Sequence, residues 1–373
     1  MNQGQIKILH IYDDDKITEA SIRLYNELNK FPQTFIILTD LSDKWASLKE
    51  QFLNVQLIKN NPVNEILLLK MINEFDVVYF HPLSFQKAKI ISKIKKTNQL
   101  FIWVLWGYDL YNFLDALNSN QNYKTQLEKK SLIKWFKDFY TFKIIYKKAI
   151  RKIDFCYFLI DGDYFLLREN FKINAKWISN IYPTIEYYLQ NLTNSTVSNN
   201  KILIGNSATP SNLHSQVFDC IDSNIKREII CPLNYGDPNY KNHIIEVGHK
   251  KFGDYFNPLV DFMPLKDYMS LLENCSHAIM PHERQQAFGT IVIMLFLGAK
   301  VFLSEKSTIY NWFIQNEITI FSFEKDLTNE IDSFLDENTV LKNKKNIEKV
   351  LSIQSFIEKE TAIQENFYKL LTI

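Results

Sequence analysis

Two segments of this sequence join backbone freedom to side chains that suit an anion. The first runs Ile204-Gly205-Asn206-Ser207-Ala208-Thr209-Pro210-Ser211-Asn212-Leu213-His214 and follows an apolar, strand-like run. A glycine at a strand end lets a ligand approach the backbone, and Ser or Asn ahead of a helix can cap it and leave free N–H groups facing a diphosphate. An ordinary polar turn with a helix cap would read the same way. The second segment, Pro281-His282-Glu283-Arg284-Gln285-Gln286-Ala287-Phe288-Gly289-Thr290, again separates an apolar strand from an apolar helix. Arg284 offers a planar fork of donors to phosphate oxygens, and Glu283, Gln285 and Gln286 suit ribose or sugar hydroxyls. Two such loops at one sheet edge mean more than either alone, because open α/β sheets bind ligands beyond the carboxyl ends of their strands. There is no GxGxxG for a dinucleotide and no Gx4GK[ST] for P-loop phosphoryl transfer.

The first half of the chain places Asp13-Asp14-Asp15, His81 and Trp103-Val104-Leu105-Trp106-Gly107-Tyr108-Asp109-Leu110-Tyr111 after or at the ends of strand-like runs. Transfer to a hydroxyl needs a group that accepts its proton, and Asp13, His81 and Asp109 are the candidates. A helix-capping Asp or a structural His is the competing account of each. Trp106, Tyr108 and Tyr111 are candidates for the acceptor side. The consecutive aspartates raise metal binding, but capping and compensation of a helix dipole explain them, and no metal or other cofactor is expected.

Between Lys124 and Lys152 basic residues crowd a run of aromatic ones, including Lys134, Trp135, Lys143, Lys147 and Lys148. Such a segment suits an anionic membrane surface, with rings at headgroup depth and cations near lipid phosphates. A core-facing helix with a solvated basic side is the plainer alternative. No RNA-binding signature accompanies it, and the net charge of the chain is only +1, so a nucleic-acid partner is not expected.

The elements that must position these groups follow from pattern. From residue 6 to about 182, strand-like runs (Ile6 to Tyr12, Phe35 to Leu38, Val55 to Ile58, Val77 to Phe80, Phe101 to Trp106, Phe155 to Ile160) alternate with helical ones such as Lys16 to Asn29. Residues 184–200 turn rich in Asn, Ser and Thr and read as a linker, their two sequons included. Strands at Lys201 to Ile204, Glu228 to Cys231, Leu259 to Met263, His277 to Met280 and Val301 to Ser304 then resume the alternation, with helices from about Ser211, Pro238 and Gln285 and over Lys266 to Glu273. The expected division is a Rossmann-like domain over 1–183, the linker 184–200, a second Rossmann-like domain over 201–345, and a helical segment over 346–373 returning toward the first. That is an α/β chain of GT-B architecture, its two domains facing across a cleft.

Composition agrees: 373 residues, 46% hydrophobic and 23% charged, suit two sizeable cores. The cysteines at 156, 220, 231 and 275 have no metal-ligand spacing and read as reduced thiols. The sequence opens into a strand pattern, so no signal peptide is expected. Its most apolar stretch, about a dozen residues, falls short of the roughly 20 needed to span a bilayer.

Taken together, Phe80-His81, Trp106-Gly107-Tyr108-Asp109-Leu110-Tyr111, Gly205-Asn206-Ser207 with Ser211-Asn212 and His214, and Arg284-Gln285-Gln286 with Gly289-Thr290 resemble the motifs of glycosyltransferase family 56, the 4-alpha-L-fucosyltransferase family of N-acetylfucosaminyl transfer. Their order and approximate spacing also match. The resemblance implies a TDP-linked 4-amino-4,6-dideoxyhexose donor and an undecaprenyl-diphosphate-linked glycan acceptor. It also implies peripheral attachment at the cytoplasmic face of the inner membrane, in surface-polysaccharide synthesis. Donor binding is expected at Gly205 to Ser207, Ser211, Asn212, His214 and Glu283 to Gln286 with Gly289 and Thr290, and Leu259 to Met263 is expected to bracket the base. Two positions depart from the family: Ala208-Thr209-Pro210 stands where it has Gly-Asp-Arg, and Ala287-Phe288 where it has Gly-Ile. The first change leaves the diphosphate to backbone N–H groups and Arg284. A nucleotide-sugar 2-epimerase of the same architecture, or a non-catalytic nucleotide-sugar or lipid-binding partner, are the rival readings.

Overall fold

A computed structural model describes residues 5–59, 61–117, 143–179, 183–190, 192, 196–197 and 199–372. The chain forms two compact units: residues 1–182 with 353–373, and residues 183–352.

In the first unit, β1 (Ile8–Asp13), β2 (Gln33–Leu38), β3 (Val55–Ile58), β4 (Val77–His81), β5 (Leu100–Val104), β6 (Phe155–Phe158) and β7 (Lys176–Ser179) make one parallel sheet ordered β3-β2-β1-β4-β5-β6-β7. The central strands are apolar on both faces because helices cover both; Ile8, Leu9, Val78, Phe101 and Ile102 are all buried. The helices Pro62–Ile72, Phe85–Lys93 and Tyr108–Leu117 and a helix over residues 143–150 cover one face of it. Asn61 caps the first of these, its side chain accepting from the Asn64 N–H at 2.9 Å ahead of a proline in the first turn. The chain reverses direction across the sheet between β1 and β4, so the carboxyl ends of these two strands flank the switch point where open α/β sheets take ligands.

The helix Ile353–Thr372 also belongs to this unit and buries Phe356, Glu360, Gln364 and Phe367. It is separated from the helix Glu337–Leu351 by Ser352, whose extended backbone (φ −73°, ψ 157°) ends the earlier helix.

The second unit repeats the plan with β8 (Lys201–Ile204), β9 (Ile229–Pro232), β10 (Phe256–Leu259), β11 (Cys275–Met280), β12 (Lys300–Leu303) and β13 (Phe321–Ser322), ordered β10-β9-β8-β11-β12-β13 and parallel throughout. Its switch point lies between β8 and β11. The helix Phe288–Leu297 is buried nearly all round, packing on β11, β12 and the helix Glu337–Leu351.

Several boundaries differ from the sequence expectation. The strand read at Leu259 to Met263 is instead β10, three residues earlier at its start. Its register with β9 runs from Phe256↔Ile229 to Leu259↔Pro232, and Phe256 enters the core against Phe218. The apolar residues beyond it, Val260 and Phe262, lie in an exposed loop. The helix expected from Ser211 is a short 3-10 turn, Pro210–Asn212, followed by the helix His214–Cys220, and the helix expected from Gln285 starts at Phe288. Residues 184–200, read as linker, contain the helix Ile185–Leu189, which packs on Phe288–Leu297. Among the described residues, no helix is long and apolar enough to cross a membrane.

Candidate functional site

In the second unit the loops after β8 and β11 are tied into one structure, and Gln286 joins them. Its Nε2 donates to Asn206 Oδ1 (2.8 Å), and its Oε1 accepts from Ser211 Oγ (2.8 Å) and from Arg284 Nε (3.2 Å). Asn212 organises the loop after β8 from within. Its Oδ1 accepts from the Asn206 N–H (2.8 Å), while its Nδ2 donates to Thr209 Oγ1 (2.8 Å) and Ser207 Oγ (3.1 Å). The same Oδ1 lies 2.8 Å from His282 Nε2, so this nitrogen carries the proton.

Ser211 and Asn212 thus knit the two loops and do not cap the following helix, which has no side-chain cap. The dihedral angles explain the tight path: Leu213 (φ 47°) and Ala287 (φ 57°) are left-handed at the entrances of the two helices. Ala287 stands where the family pattern has glycine, the residue that conformation favours.

Gly205 is required by space as well as by dihedral. At φ 66°, a Cβ on it would lie 2.6 Å from His214 Nε2 and 2.7 Å from Asn212 Oδ1. Gly205→Ala is therefore expected to destabilise the second unit by about 2 kcal/mol, read as a lowered urea midpoint. An unchanged midpoint would show that the loop relaxes freely around the added methyl.

The electrostatics are simple. His214 and His282 are buried, which pushes their pKa values down to about 4 and about 3 and keeps both rings neutral near pH 7. His214 Nδ1 lies 3.0 Å from the Tyr240 hydroxyl; its Nε2, and Nδ1 of His282, are buried without a hydrogen-bond partner among the described residues. Positive charge in these loops therefore comes from the half-buried Arg284. Glu283 turns outward to the exposed Lys306 at 2.5 Å.

Gly289 opens the helix Phe288–Leu297 against Tyr188, where a Cβ would come within 2.5 Å of the ring, and the Thr290 side chain lies near Tyr268. Both, like the half-buried Gln285, sit at the start of or just ahead of that helix. Met263 is half-buried in the loop after β10.

Tyr235 and Gly236 were not singled out from the sequence. Tyr235, 57% exposed, accepts from Asn206 Nδ2 at 3.1 Å. Gly236 (φ 125°) lies against Ala208, where a Cβ would fall 2.3 Å from the carbonyl oxygen. A glycine shortly after an apolar strand was the available signal.

In the first unit, Asp13 ends β1, His81 ends the neighbouring β4, and Asp109 lies in the first turn after β5. The three differ in surroundings. Asp13 retains 26% side-chain exposure. Its Oδ2 pairs at 2.9 Å with Lys87 Nζ, and its Oδ1 has a long 3.4 Å contact from Ser84 Oγ. Lys87 is wholly buried and spends its other donors on the carbonyls of His81 (2.7 Å) and Pro82 (3.0 Å). Burial pushes the pKa of that ammonium down, and Asp13 opposes the shift.

His81 is fully buried, stacked on Tyr12 (4.2 Å) with Nε2 3.0 Å from His10 Nδ1, and burial holds it neutral. Asp109 is buried and accepts from the Trp103 indole (2.7 Å) and from the N–H groups of Leu83 and Trp106 (both 3.1 Å). Its surroundings are those of a group that ties β5 to the loop after β4.

Tyr111 is also buried, donating to Asp163 at 2.9 Å, while Trp106 is half-buried and Tyr108 is 47% exposed beside Asp109, Asp15 and Asp13. Asp14 turns away to Thr39 and Lys44, and Asp15 accepts from the Ile17 N–H, so the three consecutive carboxylates take three different directions. Lys134 and Trp135 lie outside the described residues. Lys147 and Lys148 are exposed and Lys143 half-exposed on the helix over 143–150.

Solved structures share this fold at low sequence identity. A glycosyltransferase from Rickettsia africae matches 98% of this chain and 99% of its own at 15% identity and a TM-score of 0.63. Anabaena HepE, solved with UDP and glucose, matches 97% and 100% at 12% identity and a TM-score of 0.65. TarM matches 99% and 100% at 10% identity and a TM-score of 0.63. These likenesses make the two α/β units a GT-B fold. Residues 79–350, well over half of the sequence and including both donor-suited loops, match the family model described as 4-alpha-L-fucosyltransferase, glycosyl transferase group 56, and the chain belongs to that family of glycosyltransferases.

Proposed function

We propose that this glycosyltransferase takes a deoxyaminohexose from a TDP-linked donor and places it on a lipid-linked glycan, an undecaprenyl-diphosphate carrier being the expected acceptor, at the cytoplasmic face of the inner membrane. The observation that carries the donor reading is the pair of loops joined through Gln286 at the β8/β11 switch point, with Arg284 bonded to the same glutamine. The solved complex of HepE with UDP and glucose supports a nucleotide-sugar donor for this fold.

The C1–O bond to the diphosphate breaks as the acceptor oxygen bonds C1. The electron pair leaves with the diphosphate, where Arg284 offsets the growing charge. The acceptor's hydroxyl proton goes to Asp13, whose Oδ1 is the less engaged oxygen. His81, buried at the end of β4, stacks on Tyr12 next to this carboxylate, and the buried Asp109 ties β5 to the loop after β4. The exposed Tyr235 and the half-buried Met263 border the place for the base.

Incubating the protein with TDP-, UDP- and GDP-sugars, with and without a lipid-diphosphate acceptor, tests the proposal. TDP release that requires the acceptor is the expected result; an isomerised donor without acceptor would establish the epimerase instead. Arg284→Ala is expected to slow acceptor-dependent release about a hundredfold while the melting curve stays unchanged. Near-normal turnover in that variant would remove Arg284 from the site.

A further inference from the structure

On the first unit, the helices Pro62–Ile72 and Phe85–Lys93 and the helix over residues 143–150 lie side by side over one face of the sheet. Glu65 of the first pairs with Lys89 (3.2 Å) and Lys93 of the second. Phe85 of the second meets Tyr146 of the third at 6.0 Å between ring centroids, and Lys152 just beyond donates to the carbonyls of Ile91 and Ser92.

Their outer surface is unusual in two respects. Pro62–Ile72 is apolar nearly all round: Leu68 and Ile72 face the core, and Val63 (75% exposed), Ile66 (60%) and Leu67 (47%) face outward. Phe85 (40%) and Ile144 (37%) extend the exposed apolar surface onto the other two helices. Around them the charge is mostly positive. Apart from the buried Lys87, residues 59–72, 85–98 and 143–152 hold eleven Lys or Arg and a single acidic residue, Glu65.

We propose that this three-helix surface seats on an anionic phospholipid bilayer, with Val63, Ile66 and Leu67 entering the headgroup region and the surrounding lysines meeting lipid phosphates. Both halves of the surface favour a bilayer. Aliphatic side chains gain from leaving water only where an apolar phase receives them, and a ring of cations is drawn to anionic headgroups. A nucleic acid would match the cations but gives Val63, Ile66 and Leu67 nowhere apolar to go; its single-strand readers present aromatic rings instead. The inference extends the lipid-linked-acceptor reading and rests on it for its purpose, but its test uses neither acceptor nor donor. Failure here would therefore leave the transfer assay untouched, and failure of transfer would leave this result standing.

The full chain is mixed with vesicles of phosphatidylethanolamine and phosphatidylglycerol, or of phosphatidylcholine alone, at low and moderate salt, and sedimented. Binding is expected to the anionic vesicles, weaker at moderate salt. Replacing Val63, Ile66 and Leu67 together with Ser is expected to lower the partition coefficient about tenfold. The pair Lys147→Glu and Lys148→Glu is expected to lower it about tenfold at low salt and less at moderate salt. Each variant is required to melt as the wild type does, and if the apolar triple fails to fold, the lysine pair alone decides. Unchanged sedimentation of a folded variant would overturn the proposal, as would retention of a duplex DNA in preference to anionic vesicles.

Discussion

Asp13→Asn is expected to lower acceptor-dependent nucleotide release by about 10²- to 10⁴-fold, the range for loss of a positioned proton acceptor. The substitution keeps the side chain's size and one oxygen, and Lys87 can still bond that oxygen, so the switch point at the end of β1 should hold its shape. Donor binding, which is assigned to the other unit, should be unaffected; calorimetric titration with TDP separates the two effects. Wild-type turnover would move the proton to another group.

Asp109→Asn gives the instructive contrast. Its carboxylate accepts from three N–H donors, and an amide nitrogen turned toward any of them would repel it. That variant should lose stability first and activity only as a consequence.

The second large effect is on stability. Glu360→Gln is expected to stabilise the first unit by about 3 kcal/mol at mildly alkaline pH and to change little near pH 4.5. Glu360 is buried on the helix Ile353–Thr372, where its Oε1 accepts from the Tyr79 hydroxyl (2.6 Å) and from Gln364 Nε2 (3.2 Å). The Tyr157 hydroxyl lies 3.3 Å from that of Tyr79, and the described residues include no cation paired with the carboxyl. Burial pushes its pKa from 4.5 up to about 7.

A carboxyl whose folded pKa lies above its unfolded one contributes fully to stability below the unfolded value. That contribution is lost as pH rises through the folded value, because ionisation then favours the unfolded chain. Gln keeps the accepting oxygen and cannot ionise. Urea denaturation near pH 5 and near pH 8.5 checks the difference; parallel pH dependence in wild type and variant would place the titration elsewhere.

The doubly wound fold was legible because the central strands of a covered parallel sheet are continuous apolar runs, as at Ile202-Leu203-Ile204 and Val77-Val78-Tyr79-Phe80. The edges were not. In β7, Lys176 and Trp177 are exposed, and β13 is two residues long, so neither carries the both-faces signal. The exposed Val260 and Phe262 imitated that signal and drew the strand past Leu259.

For the site, position at strand ends was readable, and it singled out Gly205, Arg284, Asp13, His81 and Asp109. What each side chain does there depended on neighbours from other strands. His81 is sealed by His10 and Tyr12 of β1, and Asp109 is occupied by Trp103 and the loop after β4. Gln286 joins two loops 80 residues apart in sequence. No local pattern records these pairings, because the sheet order creates them.

The first unit is closed by residues that come after the whole of the second. During synthesis, β1 to β7 emerge long before Ile353–Thr372, so Tyr79 and Tyr25 wait without Glu360 and Phe356 while residues 183–352 are made. The later unit in the sequence can therefore finish folding first on the ribosome, and the earlier one is completed last.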